Sequence, residues 1–393
     1  LLFEQNIIDG TDEEKQAVQS GSKSAYSFML EKIENLDITP AQLALDPCSG
    51  SCVVTDTQTG EVLALVTYPG YDNNRLTNSI DSDYYNKIYY DLSQPMWNYA
   101  TQQLSAPGST FKMVSAATAL ENNVVGLNET ITCKGTWDTL SPPARCWIAP
   151  NGSHGPLDIS GAIEHSCNYF FYEVGYRLSR NNGVYDSDTG LEKLAYYADQ
   201  FGLSDKSGVE ISESAPKVSD FDAIRSAIGQ GTNNYSTVGL ARYVTTVANS
   251  GSCYNLSLLS KATDADGNLI ADYTPTLRNT VDLKQSTWDA IHQGMRKVVE
   301  DKDYYKDLTI QVAGKTGTAQ ENRKRANHAL FVCYAPYEQP QIAIATRIAF
   351  GYASDYAAQV TKDIVKYYFK LEDESSLITG TAESTNVVQS AGD

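Results

Sequence analysis

The chain reads as α+β: an antiparallel sheet of about five strands flanked by helices, with an all-helical part inserted between its two halves. Three observations predict this. A β-branched run, Cys52-Val53-Val54-Thr55-Asp56, meets the turn Thr57-Gln58-Thr59-Gly60 and continues into Glu61-Val62-Leu63-Ala64-Leu65-Val66, which is a hairpin pattern. From 308 onward, Thr309-Ile310-Gln311-Val312-Ala313 runs into Gly314-Lys315-Thr316-Gly317-Thr318, and the runs at 329–333 and 341–346 follow at meander spacing. Between hairpin and meander, the stretches 109–121, 157–165, 168–179 and 235–249 carry few breakers and read as helices.

The flanks are simpler. Residues 1–45 are polar and acidic with one helix-like run at 23–36, and read as the tail of a preceding domain or a lead-in. A Tyr- and Asp-rich, strand-poor stretch begins at 70–74. The main domain spans 46–371, its last amphipathic helix, 356–369, covering one sheet face. The Ser/Thr/Gly/acid-rich tail, 372–393, has little to bury and is expected to be disordered.

The 393 residues are 41% hydrophobic and 20% charged, ordinary for a globular protein. The net charge of -18 argues against nucleic acid, because a phosphate backbone needs a concentrated basic surface and the densest basic stretch is Arg323-Lys324-Arg325. No apolar run approaches the length of a membrane helix. The chain opens at Leu1-Leu2-Phe3 without a methionine, so an excised fragment is expected, its anchor elsewhere.

The organising stretch is Ala106-Pro107-Gly108-Ser109-Thr110-Phe111-Lys112. Pro107 and Gly108 break what precedes them, which places Ser109 at a helix start. Residues three apart share a helix face, so the Ser109 hydroxyl and the Lys112 amine can meet. A serine hydroxyl becomes a nucleophile when a base takes its proton, and a lysine serves once burial or nearby positive charge lowers its pKa. Alone, Ser-x-x-Lys reads first as an N-cap serine followed by an exposed lysine.

Two further boxes follow in order: Ser166-Cys167-Asn168 in the break between two helices, and Lys315-Thr316-Gly317-Thr318 on a strand. Individually, Ser166 and Asn168 could cap a helix and Lys315 could be a solvated strand end. The ordered trio resembles serine penicillin-binding proteins and related β-lactamases. The match extends to Ala106-Pro107-Gly108, to Gly229-Gln230-Gly231, to Ala319-Gln320, and to the 66–74 segment, which looks like class B penicillin-binding proteins. It covers roughly residues 50–370. Two departures are Asn98-Tyr99-Ala100, where the family usually has Asn-Arg-Ala, and Cys167 inside the second box.

The resemblance implies the penicillin-binding protein transpeptidase fold and a serine D,D-transpeptidase that cross-links peptidoglycan stem peptides through an acyl-enzyme and is acylated by β-lactams. It implies Ser109 as nucleophile, Lys112 as base, Ser166 on the proton path to the leaving amine, and Asn168 orienting substrate or Lys112. Lys315 would favour a neutral Lys112 and attract the substrate carboxylate; Thr316 and Thr318 would bind that carboxylate, and Gly317 would let the substrate backbone lie close. The backbone N–H groups of Ser109 and Thr318 would hold the oxyanion. No cofactor is required. The setting implied is the extracytoplasmic face of a bacterial membrane, with a glycosyltransferase as partner of the full-length protein. A D,D-carboxypeptidase or a non-turnover β-lactam sensor keeps the same acylation chemistry. A class A β-lactamase would need Glu-x-x-x-Asn after the second box, and 169–314 has no such spacing; Glu164 to Asn168 overlaps the box itself.

Seven cysteines form no even framework. Cys133, Cys146 and His154 are close enough to suggest a structural zinc, with a Cys133–Cys146 disulfide or unpaired thiols as the alternatives. Cys167 reads as a pocket-lining thiol, and His292 and His328 as ordinary histidines.

Overall fold

The computed structural model describes residues 3, 4, 8, 10–35, 37–43, 45–321 and 324–378. Five strands form its principal sheet: β1 (Ser49–Asp56), β2 (Val62–Tyr68), β3 (Ala313–Ala319), β4 (His328–Ala335) and β5 (Ile342–Ala349). Their order is β3-β4-β5-β1-β2, every neighbouring pair antiparallel. The hairpin and the meander are therefore joined through β1 and β5, with Val53 opposite Ala345. The expected strand at 309–313 begins only at Ala313, because 309–312 approach the sheet without joining its ladder.

Period-two alternation divides the sheet between two cores. Val53, Leu330, Val332 and Ala345 face the larger one, while Cys52, Val54, Phe331 and Ile344 face the smaller. Six helices complete the frame that matters for the site: α1 (Lys112–Glu121), α2 (Ile159–Glu164), α3 (Asn168–Leu178), α4 (Thr237–Ala248), α5 (Gln285–Glu300) and α6 (Ser354–Tyr368). α4 is buried along its whole length, its one charged residue, Arg242, donating to the carbonyls of Asp205 and Lys206. Two of its hydroxyls pair with the sheet: Ser51 Oγ meets Thr237 Oγ1 at 2.7 Å and Thr55 Oγ1 meets Thr245 Oγ1 at 2.6 Å. α6 covers the opposite face with Ala357, Ala358 and Val365.

The lead-in forms helices Asp12–Gln19 and Ala25–Glu34 around a small cluster of Ile8, Phe28 and Ile38. Of the tail expected to be disordered, Glu374–Leu377 makes one helical turn, and 379–393 lie outside the described residues. Among the described residues no helix is long and apolar enough to cross a membrane.

Candidate active site

The nucleophile segment is a tight turn before it is a helix. Gly108–Phe111 is 3-10, and α1 starts only at Lys112, so the expected helix from Ser109 is displaced by one turn. Thr110 explains part of this, since its Oγ1 donates to Pro107 O at 2.8 Å in place of a regular helical bond. The rest is close backbone approach. Gly108 sits at φ +52°, donates to Gly229 O at 3.1 Å, and a Cβ there would stand 2.4 Å from Thr318 O and 3.3 Å from Thr318 N. Gly229, at φ +75°, presses on the other side: its Cβ would lie 2.0 Å from Gly108 O. Ser109 is thus clamped between the Gly229 turn and β3, and is buried.

Lys112 is wholly buried, and a buried amine must find acceptors. Its Nζ donates to Ser166 O at 2.7 Å and Asn168 Oδ1 at 2.7 Å, and stands 3.2 Å from Ser166 Oγ. The three-residue break between α2 and α3, His165-Ser166-Cys167, makes this possible. Ser166 occupies the left-handed region at φ +49°, a conformation that serine adopts only when its surroundings impose it. That twist turns both its carbonyl and its hydroxyl onto Lys112. Capping of α3 falls to Cys167, whose Sγ accepts from Phe170 N at 3.4 Å, so Asn168 keeps its amide oxygen for the lysine.

The third box lies on β3, an edge strand of the sheet. Lys315 is buried rather than solvated, its Nζ 3.1 Å from Thr316 O and 3.3 Å from Thr316 Oγ1. Alternation puts Thr316 and Thr318 on one face and Lys315 and Gly317 on the other. Gly317 has a structural role besides the one expected of it. A Cβ on it would meet Thr110 Cγ2 at 2.7 Å and Pro107 O at 2.9 Å, so its missing side chain makes room for the nucleophile turn. The first box thus touches the second through Lys112 and the third through Gly108.

The cysteines change the reading of the second box. All seven are free, which removes the Cys133–Cys146 disulfide. Cys167 does not line a substrate pocket; it is buried and faces Cys146 Sγ at 4.0 Å. With Cys133 and His154 it completes a cluster whose four ligand atoms lie within 4.8 Å of one another. The sequence reading took the first three residues and missed the fourth, thirteen residues beyond His154. Hydrogen bonding to Cys167, and to His154, holds the Cys146 and Cys133 thiols well below the usual range, while those same neighbours and burial push Cys167 up.

On an α+β frame whose edge strand lies against the turn, a hydroxyl set one turn before a sequestered amine is the equipment of a serine acyltransferase. The chain belongs to the penicillin-binding protein transpeptidase family, the family's penicillin binding protein transpeptidase domain matching residues 50–366. Peptidoglycan D,D-transpeptidase MrdA of Haemophilus influenzae is 30% identical over 362 residues, which cover 82% of this chain and 53% of that protein. MrdA of Escherichia coli K12 is 27% identical over 359 residues, 83% of this chain and 55% of that one. The chain therefore spans about half the length of these relatives. The structure of Pseudomonas aeruginosa PBP2 in complex with WCK 5153 matches with a TM-score of 0.70 at 25% identity, over 86% of this chain and 77% of that one. The expected fold is borne out.

Proposed function

We propose that this chain is the catalytic domain of a serine D,D-transpeptidase that cross-links peptidoglycan stem peptides. The observation that carries the reading is the triple contact of Lys112 Nζ with Ser166 O, Ser166 Oγ and Asn168 Oδ1, one turn from a buried Ser109. Ser109 Oγ attacks the carbonyl of the terminal D-Ala-D-Ala bond as Lys112 takes its proton. The oxyanion is held by backbone N–H groups of Ser109 and Thr318. The C–N bond breaks, the leaving amine gains a proton through Ser166, and an ester to Ser109 remains. An acceptor amine then attacks the ester, forming the new amide and restoring the serine. Lys315 and the Thr316 and Thr318 hydroxyls hold the terminal carboxylate.

A β-lactam carbonyl enters the same path but leaves a long-lived ester. Intact mass after incubation with benzylpenicillin should rise by one antibiotic, and Ser109→Ala should abolish the gain; an equally labelled variant would overturn the assignment. Two relatives named as peptidoglycan D,D-transpeptidases support an extracytoplasmic setting, and a glycosyltransferase partner for the full-length protein is part of the same proposal.

The reading includes one Zn2+ that Cys133, Cys146, His154 and Cys167 would hold as a structural ion. Tetrahedral zinc with Zn–S near 2.3 Å places its sulfur ligands about 3.8 Å apart, and the Cys146–Cys167 and Cys146–His154 separations are 4.0 and 3.6 Å. The donor set, three thiols and an imidazole, suits zinc. The ion would anchor the loop that carries Ser166 and Asn168.

A further inference from the structure

At the end of β3 remote from Lys315 lies a cavity of about 630 Å3, its wall including Tyr99, Gln103, Glu321, Arg325, His328 and Arg347. Arg347, on β5, is 2% exposed. Its Nε donates to Ser105 Oγ at 3.0 Å and its Nη2 lies 3.5 Å from His328 Nδ1, but its Nη1 is buried with no hydrogen-bond partner. A buried guanidinium calls for a carboxylate. The carboxylates nearby are engaged elsewhere: Glu321 Oε2 receives His328 Nε2 at 2.6 Å, and Asp46 is paired with Arg325. His328 offers no compensating charge. Its Nδ1 also accepts from Phe350 N at 3.1 Å, so its proton is on Nε2 and the ring is neutral. Burial draws the Arg347 guanidinium down to about 10, which leaves it charged at neutral pH. Among the described residues, no carboxylate is hydrogen-bonded to the buried Arg347 guanidinium, and Glu321 acts on it only at a distance.

We propose that this cavity binds a carboxylate of the acyl-donor peptide, on a residue two or three positions upstream of the reacting carbonyl. The inference rests on the transpeptidase reading. If the terminal carboxylate sits at Lys315 and Thr316 and the reacting carbonyl at Thr318, the rest of the donor runs on past β3 toward Glu321. Glu321 is three residues beyond Thr318, about 10 Å of extended chain. Arg347 reaches the same neighbourhood from the other side, since the Ser105 hydroxyl that receives its Nε is four residues before Ser109. A carboxylate arriving there meets Nη1 and Nη2 as a two-pronged donor. The cavity therefore selects donors by charge at a point remote from the bond that breaks.

The test uses two peptides ending in D-Ala-D-lactate, identical except that one carries a carboxylate and the other a carboxamide at the second or third residue upstream. The quantity read is the ratio of their kcat/KM values. The wild-type chain should prefer the carboxylate at least tenfold. Arg347→Met should reduce the ratio to within twofold of unity, and so should Gln103→Glu, which supplies the cavity with a carboxylate of its own and keeps the arginine should Arg347→Met fail to fold. Equal rates for the two peptides in the wild type would mean that the cavity holds only solvent, and the proposal would fall. A preference that survives in a folded Arg347→Met variant would overturn it equally. A wild type that benzylpenicillin does not acylate would instead remove the transpeptidase reading beneath both.

Discussion

Ser166 bears two loads, one on chemistry and one on backbone, and two substitutions separate them. Ser166→Ala and Ser166→Gly both delete the hydroxyl 3.2 Å from Lys112 Nζ, and both keep the carbonyl that accepts from it at 2.7 Å. On the proton path, loss of the hydroxyl should slow acylation by about 10²-fold or more, or about 2.7 kcal/mol of barrier. Stability should behave differently. Each variant loses a bond to the amine worth about 1.5 kcal/mol. Alanine remains in the left-handed conformation at φ +49°, whereas glycine adopts it without the roughly 1 kcal/mol steric cost. Ser166→Gly should thus be the more stable variant by about 1 kcal/mol, or about 2 °C in Tm for a domain of this size, while the two are equally slow. The assays are the benzylpenicillin acylation rate and thermal unfolding. Acylation of Ser166→Gly within threefold of wild type would refute the proton-path role; equal Tm values would refute the strain.

Gly229→Ala should destabilise the chain by about 2–4 kcal/mol and slow acylation at least tenfold, because the new methyl lies on Gly108 O and the backbone is left-handed; calorimetry and penicillin labelling check both effects. Acid stability should carry a histidine signature. Burial, then the adjacent Arg347, depress His328, and burial depresses His292. A depressed pKa means that each ring contributes stability above about pH 6.5, lost as pH falls through the lower folded value. Urea titrations from pH 7.5 to 5 should show His328→Gln removing one proton's worth of that slope, about 1.4 kcal/mol per pH unit. Glu321 and Arg325 face the same ring, so Arg347→Met should shift its midpoint upward. Protein purified without added zinc should carry about one equivalent, and Cys146→Ser should carry less than a tenth of one; an equal metal content in the two would discard the cluster as the site.

Much of the frame was legible in the chain because its signals are local. Alternating apolar runs marked four of the five strands near their true positions, and breakers at Ser166 and Ser250-Gly251 marked where helices end. The start of β3 was misplaced because 309–312 have strand composition but no partner, and pairing is a property of the neighbour. The helices Ser187–Gln200 and Gln285–Glu300 escaped notice although both are amphipathic, since polar residues interleave their apolar faces. The candidate site residues were legible as ordered boxes. Their burial was not, and the alternatives of a solvated Lys315 and a capping Asn168 could be dismissed only once their partners were visible. Cys167 was missed as a ligand candidate because its sequence neighbours belong to the active site, whereas its spatial neighbours are Cys133, Cys146 and His154.

The arrangement around Ser109 shows why residue boxes understate what a site requires. What joins the first box to the third is an absence of side chains: Gly108 against the Thr318 carbonyl, and Gly317 against Thr110 and Pro107. What joins the first to the second is a buried amine whose acceptors come from a backbone twist at Ser166 and an amide released from capping by Cys167. Apart from the Lys112 amine, none of these contacts involves a group proposed to react, yet each fixes where such a group stands, and positioning to within about an ångström is worth orders of magnitude in rate. The second box accordingly tolerates cysteine at its centre: that side chain turns away from the lysine to cap α3 and face Cys146, so its chemistry answers to the cluster and not to the substrate.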